Sequence, residues 1–512
     1  MLRETFTENG KVRGIPAADP RITAYKGIPF AAPPVGELRW RAPQPAKNWD
    51  GVLECYKFAP ISMQEIPGED PNAFYSKEWH VDPEIPMSED CLYLNVWTPA
   101  KKADEKLPVM VWIFGGGMAN GYPAEMEFDG ERIARRGVIL VSVNYRVNSF
   151  GFLTHPELTQ AAKETGEVAG NFGLLDQRAG IEWVKRNIAA FGGDPENITI
   201  FGQSAGAGSV QCQMVSPLTK GLFQRAITHS GGGLRKYGQG GSAIPLETAF
   251  ENGVKFFEYL GVKTLEEARA IDEVTLRDKA ITFGHIKVWG PTLDGRFLPD
   301  DASDMVYRNE YHDIEVMIGN TGNEHNAPIP KTVAELEAFA KNEMGKYADE
   351  FLALANAKTD EDVVEFCKKE TNVFLGRCLN GLLFLRNQTK YDRKPVYAYY
   401  FNPTIPGWDN PGAFHSTDLW FVFETLAKCW RPFNGKHYDL ARHMCNYWTN
   451  FAKTGNPNGL DANGEAMLEW KNYTEEDPFI IFFHEEGIKP YENMFTEAME
   501  LKIKHIFEEV IK

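Results

Sequence analysis

Ser204 sits between glycines in Gly202-Gln203-Ser204-Ala205-Gly206, behind the apolar, β-prone run Asn197-Ile-Thr-Ile-Phe201 and ahead of a helix-compatible segment. A serine hydroxyl becomes a nucleophile when a base removes its proton, and this pattern holds such a serine at a sharp strand-to-helix turn. The glycines permit the turn and close backbone packing. The helix that follows aims its first N–H groups at the place where an oxyanion would develop. Five common residues match by chance in many loops, so the weight rests on the strand before and the helix after.

The serine needs a histidine and a carboxylate, which follow it on sheets of this kind in the order acid, then histidine. His415 lies in the turn-rich stretch Asn410-Pro-Gly-Ala-Phe-His-Ser-Thr-Asp-Leu-Trp420, after a β-prone run at Val396 to Phe401. His312, His437, His443, His484 and His505 fall in charged or helical stretches and read as surface or packing histidines, while His229 ends a β-prone run close to the turn. For the acid, Glu324 leaves a short apolar strand in Ile318-Gly-Asn-Thr-Gly-Asn-Glu-His325. Asp313, Asp409 and Asp418 are alternatives, and Asp294 reads as a turn aspartate. Trp112-Ile-Phe-Gly-Gly-Gly-Met118 ends an apolar strand in three glycines, where main-chain N–H groups could approach a substrate. A bulge or a phosphate-binding turn is the other reading, but neither G-K-[ST] nor G-x-G-x-x-G spacing follows.

Strand and helix alternate from Glu89 onward, which argues for an α/β sheet with helical cover. The predicted strands are Leu92 to Thr98, Pro108 to Phe114, Val138 to Tyr145, Asn197 to Phe201, Arg225 to His229, Glu315 to Gly319, Val396 to Phe401 and Phe479 to Phe483. Helical spacing predicts a helix over Leu174 to Ala190, stopped by Gly192-Gly-Asp-Pro195. Residues 61–88 read as a long polar loop able to line the mouth of a cleft, and 331–390 as a charged helical insertion within a single domain spanning 1–512.

A hydrophobic content of 43% excludes wholesale disorder, and a net charge of -17 disfavours nucleic acid or an anionic membrane as partner. The first ten residues lack the apolar core of a secretion leader, and no later run is apolar enough for a membrane span, so a cytoplasmic enzyme is expected. The seven cysteines form no C-x-x-C pair, which suggests neither a metal site nor a dense disulfide framework.

The ordered motifs Tyr25-Lys-Gly-Ile-Pro-Phe, Ser88-Glu-Asp-Cys-Leu-Tyr-Leu-Asn-Val, Gly115-Gly-Gly, Asn144-Tyr-Arg, Gly170-Asn-Phe-Gly-Leu-Leu-Asp-Gln-Arg, the stretch Phe191 to Gly206 and Tyr447-Trp-Thr-Asn-Phe-Ala-Lys-Thr-Gly-Asn-Pro-Asn run through nearly the whole chain. In these the chain resembles the type-B carboxylesterase family of α/β-hydrolases, which includes bacterial carboxylesterases, cholinesterases and the non-catalytic neuroligins. The resemblance implies a large, mostly parallel central sheet flanked by helices, with helical insertions over the cleft. It also implies hydrolysis of a small-molecule carboxylic ester through an acyl-enzyme, with no cofactor and no metal. Carried over residue by residue, it implies Ser204 as nucleophile, His415 as base then acid, Glu324 as orienting carboxylate, and Gly116, Gly117 and Ala205 as oxyanion donors. Trp289 falls at an acyl-pocket position, and Phe114, Met118, Trp408, Phe414 and Phe421 are further candidates for the gorge lining.

The chain departs from the family at four places. Gln203 stands where a glutamate often precedes the nucleophile, His325 replaces the usual glycine after the acid, and Phe114 replaces a His or Tyr before the glycines. The family's early disulfide joins the cysteine of the Glu-Asp-Cys motif to one about thirty residues upstream. Ser62 stands there in this chain, which leaves Cys91 free unless Cys55 takes over. A neuroligin-like interaction protein is the rival reading, and a complete set of Ser204, Glu324 and His415 argues against it. Within the enzymes, feruloyl, sugar and choline esters are all compatible with the sequence, which selects neither substrate nor oligomeric state.

Overall fold

Runs that are apolar on both faces become interior parallel strands, because helices cover both sides of such a sheet. In Ile198, Ile200 and Phe201 every side chain is fully buried. The computed structural model describes residues 1–512 except 235–242, 285–287, 325–328, 375, 462, 493 and 511–512, so His325 lies outside the described residues. The strands are β1 (Glu4–Thr7), β2 (Gly10–Arg13), β3 (Ile15–Pro16), β4 (Thr23–Pro29), β5 (Val52–Glu54), β6 (Tyr93–Thr98) and β7 (Leu107–Ile113). They continue with β8 (Ile139–Val143), β9 (Gly193–Gln203), β10 (Arg225–His229), β11 (Glu315–Thr321), β12 (Val396–Phe401), β13 (Ile480–His484) and β14 (Gly487–Pro490).

Among the described residues the main sheet has 11 strands in the order β14-β13-β12-β11-β10-β9-β7-β8-β6-β4-β3, and β1-β2-β5 form a small separate sheet. The run from β13 to β8 is parallel throughout, and the antiparallel strands β14 at one edge and β6, β4 and β3 at the other complete it. This is the mostly parallel, helix-flanked sheet expected of an α/β-hydrolase. All eight predicted strands belong to it. β9 differs: it begins at Gly193, with a register irregularity between the Leu107–Gly193 and Val109–Ile198 pairs, so the Gly-Gly-Asp-Pro stretch enters the sheet instead of only ending the helix.

Residues 333–388 run through helices Val333–Glu343, Ala348–Ala355, Asp360–Lys369 and Gly376–Gln388. Thr332 and Thr359 cap two of these helices by accepting from the N–H three residues on. The polar stretch 61–88 carries one short helix, Phe74–Glu78, and otherwise no regular structure. Among the described residues no helix is long and apolar enough to cross a membrane.

The Cys91 thiol is fully buried, and burial pushes it above the ordinary thiol range. Its hydrogen-bonding neighbour is Ser62, the residue that stands where the family has the partner cysteine, and neither Cys91 nor Cys55 is in a disulfide. Ser62→Cys is therefore expected to oxidise to a bridge with Cys91 and close the 62–91 loop. By chain entropy a closed loop of about 30 residues adds about 3.5 kcal/mol of stability. Thiol titration and thermal melts with and without reductant check it, with a reductant-independent melting temperature as the contrary result.

Candidate active site

The residues that could do chemistry converge at the carboxyl ends of β7, β9, β11 and β12, where open α/β sheets gather their sites. β9 delivers Ser204, which has φ +55° and ψ −122° and starts the helix Ala205–Val215. That backbone is strained for a residue with a side chain. The neighbouring glycines serve a different need. A Cβ on Gly202 would stand 2.6 Å from the Gly206 carbonyl, and one on Gly206 only 2.2 Å from the Ile113 carbonyl oxygen. The glycines therefore allow close approach of strand and helix, while the serine itself takes the unusual φ. The Ser204 N–H donates to the His229 carbonyl at 2.9 Å, tying the turn to β10. Ser204 is half-buried, so a substrate can reach it.

His415 arrives on the loop after β12, and Glu324 three residues beyond the end of β11. The two loops are stitched together. Asn323 N–H donates to the Ala413 carbonyl at 2.8 Å, and Ala413 N–H donates to Asn323 Oδ1 at 3.0 Å. Gly412 has φ +63° and lies so close that a Cβ there would meet Asn323 Oδ1 at 2.3 Å. This clamp brings His415 Nδ1 to 2.5 Å from Glu324 Oε2. Thr321 fixes the other carboxylate oxygen, its N–H donating at 3.2 Å and its hydroxyl at 2.9 Å. Histidine and glutamate are both buried, which excludes water from competing for the ring. On the far side of the ring, the Gln203 amide nitrogen lies 3.1 Å from His415 Nε2.

The other carboxylates are occupied elsewhere. Asp409 pairs with Arg431 at 2.9 Å, and that guanidinium also holds Glu78 and packs over Phe414. Asp313 is exposed near Arg393, and Asp294 accepts from the N–H groups of Arg296, Phe297 and Leu298 as a turn residue does. Asp418 faces His229 Nδ1 at 2.9 Å and accepts from the Tyr399 hydroxyl at 2.9 Å.

The loop after β7 lies against the elbow. A Cβ on Gly115 would stand 3.1 Å from Ser204 Cβ, and Gly116 and Gly117 have φ +110° and +65°. Among the described residues neither the Gly116 nor the Gly117 N–H has a hydrogen-bond acceptor, and Ala205 is the first residue of its helix, where N–H groups lack intrahelical partners. Partly exposed donors of this kind, next to a serine, are what an oxyanion needs. The Tyr145 hydroxyl, kept protonated by burial, donates to the Phe114 carbonyl at 2.7 Å and anchors the start of the loop.

Two expected gorge residues, Phe114 and Phe421, are fully buried. Phe114 stacks on Tyr145 at 4.2 Å and Phe421 packs on Phe401 at 4.9 Å, so both are core side chains and line no cleft. Trp408 is 80% exposed and leans on Trp430, a surface residue where a gorge wall was expected. Trp289 is buried between Phe256 and Phe283. Met118 receives the Ser209 hydroxyl on its sulfur, and Phe414, next to His415, meets Phe74 edge-on at 4.8 Å and stacks near Trp79. Phe74, Trp79 and Tyr75, whose hydroxyl reaches the His415 carbonyl at 3.4 Å, come from the 61–88 stretch. Its mixture of aromatic and acidic residues was the available signal.

The sequence reading also missed a four-residue network behind the elbow. Trp448 Nε1–H donates to His229 Nε2 at 3.0 Å, so the His229 proton sits on Nδ1 and faces Asp418. Tyr399 completes the set, and His229 and Asp418 are both fully buried. Asp418→Ala leaves these donors unpaired in a dry interior and is expected to cost about 3 kcal/mol of stability. Asp418→Asn, which keeps an acceptor in place, should cost visibly less in the same denaturant titration. Equal losses would mean that the donors do not need the acceptor.

Among the described residues no group of three or more His, Cys, Asp or Glu side chains could hold a metal ion.

An elbow serine at the carboxyl edge of a mostly parallel, helix-covered sheet places the chain among the α/β-hydrolases. The chain belongs to the carboxylesterase family, whose model matches residues 3–501. It is 33% identical over 476 residues to the fumonisin B1 esterase of Sphingopyxis macrogoltabida, covering 88% of this chain and 82% of that protein. It is likewise 33% identical over 515 residues to the acetylcholinesterase of Bungarus fasciatus, covering 92% of this chain and 81% of the other. A solved PNB esterase matches with a TM-score of 0.75 and 30% identity, covering 98% of this chain and 100% of that one. The protein is a serine carboxylic-ester hydrolase.

Proposed function

We propose that the protein hydrolyses small-molecule carboxylic esters by way of an acyl-enzyme on Ser204, with His415 as general base and then acid, Glu324 as its orienting carboxylate, and the N–H groups of Gly116, Gly117 and Ala205 as the oxyanion hole. The observation that carries this reading is the buried 2.5 Å contact between His415 Nδ1 and Glu324 Oε2, with the other ring nitrogen 3.1 Å from the side chain of Gln203, the residue before the elbow serine. That contact puts the ring proton on Nδ1 and leaves Nε2 to accept from Ser204. As Oγ bonds to the ester carbonyl carbon, its proton passes to Nε2, and the carbonyl oxygen takes up negative charge beside the three main-chain donors. Collapse of the tetrahedral species breaks the ester C–O bond, and the imidazolium gives its proton to the leaving alkoxide. Water then enters, loses a proton to Nε2 and releases the acid by the same steps in reverse order.

Met118 and Phe414, which adjoin the glycine loop and His415, are proposed substrate-facing residues; Trp289, at the family's acyl-pocket position, is buried between Phe256 and Phe283 and is read as a packing residue. The buried thiols Cys55 and Cys91, neither in a disulfide, support a reducing, cytoplasmic location. An organophosphate serine reagent is the test: one equivalent should inactivate ester hydrolysis and label Ser204. Hydrolysis that persists in fully labelled protein, or resistance to labelling by active protein, would overturn the reading. A panel of esters varying acyl and alcohol size separately then defines the substrate class.

A further inference from the structure

Gln203 directly precedes the nucleophile, and its side chain reaches past the serine to the base. Because His415 Nδ1 faces the Glu324 carboxylate at 2.5 Å, the neutral ring carries its proton there and its lone pair on Nε2. The Gln203 amide N–H, with its nitrogen 3.1 Å away, donates to that lone pair. It is the same lone pair that must accept the serine proton. Gln203 is 3% exposed, so water does not compete for the contact. Gly115 leaves space for the amide: a Cβ there would stand 3.1 Å from Gln203 Oε1 and 2.6 Å from its carbonyl oxygen.

We propose that Gln203 is a positioning residue for His415, an amide that caps the lone pair of the resting base and turns over when the imidazolium forms. This rests on the reading of His415 as the general base. In the resting site the amide N–H holds the ring in register. During acylation the Ser204 hydroxyl takes the place of the amide at Nε2, the Oγ–C bond forms, and the Oγ proton moves to Nε2. The new Nε2–H is a donor, and the amide, rotated about its last torsion, offers Oε1 to it. No proton passes through the amide. A carboxylate in its place could only accept, and would hold the imidazolium as an ion pair at pH values where the amide leaves the base free. Among the described residues, the titratable groups in contact with His415 include the Glu324 carboxylate at Nδ1 and the Tyr75 hydroxyl at its carbonyl. Arg431 lies over Phe414, and the Asp418 and His229 pair lies behind the elbow. The substitutions at 203 leave all of these in place.

The test is the profile of kcat/KM for an aryl ester from about pH 5 to pH 10 in the whole protein, Gln203→Glu and Gln203→Leu, with His415→Gln measured alongside. Gln203→Glu is expected to move the acidic limb upward by about one pH unit or more and to slow the reaction about 10-fold near neutrality, with recovery on the alkaline plateau. Gln203→Leu, similar in size and without hydrogen bonds, should lower kcat several-fold at unchanged KM. Coincident acidic limbs in the Glu variant, or an unchanged kcat in the Leu variant, would overturn the proposal; should the Glu variant not fold, the Leu variant decides alone. If His415→Gln keeps wild-type activity, the base has been misassigned and the reading of the whole site falls. If His415→Gln is inactive and the Gln203 profiles do not move, only the role of Gln203 falls.

Discussion

Ser204→Ala is expected to lower kcat for a simple aryl ester by about 10⁴-fold or more while the protein remains folded. The size follows from the chemistry: removing the nucleophile removes the acyl-enzyme route, and what is left is substrate binding and the oxyanion donors acting on water. The fold should survive for a local reason. Ser204 takes φ +55° with its main chain held by the N–H to the His229 carbonyl and by the close packing of Gly202 against Gly206. Alanine keeps the Cβ that this backbone already accommodates and loses only a half-buried hydroxyl. Circular dichroism and the melting temperature should match wild type, and the rate should be measured on protein free of contaminating esterase. Activity within tenfold of wild type would place the nucleophile elsewhere.

Glu324→Gln is expected to cost about 10³- to 10⁴-fold in kcat at nearly unchanged KM. Thr321 decides the geometry. Its N–H and hydroxyl both donate to Glu324 Oε1, and in the amide variant the carbonyl oxygen must occupy that place to satisfy them. The NH₂ group then faces His415 Nδ1 and donates to it. This forces the ring proton onto Nε2, where it blocks acceptance of the serine proton. Thr321→Val should relieve that constraint and recover part of the lost rate in the double variant. An amide variant with wild-type kcat would show that Glu324 does not set the tautomer.

Much of the scaffold could be read from the sequence because its strands are buried on both faces. Arg225–His229 and Val396–Phe401 are short β-prone runs, and their predicted and observed limits coincide. β9 was harder to delimit, because Gly192-Gly-Asp-Pro195 is turn chemistry by local rules and only pairing with Leu107 draws Gly193 into the strand. The elbow, the glycine loop and the histidine loop were each legible as local patterns. Their convergence was not, since it depends on contacts such as Asn323 with Ala413, 90 residues apart. The family resemblance marked Phe114, Phe421 and Trp408 as gorge candidates, but a matched position does not say which way a side chain points in this chain. Two of the three turned into the core and the third into solvent. The His229, Asp418, Tyr399 and Trp448 network draws one residue from each of four separated segments, and no spacing rule joins them.

The most direct measurement is acid quench of the protein with an aryl ester during turnover, followed by peptide mapping by mass spectrometry. Acyl transfer through the elbow predicts the acyl group on Ser204, its appearance matching the burst of released phenol, and no adduct in Ser204→Ala. An adduct on another residue, or turnover with a burst and an unmodified Ser204, would contradict it.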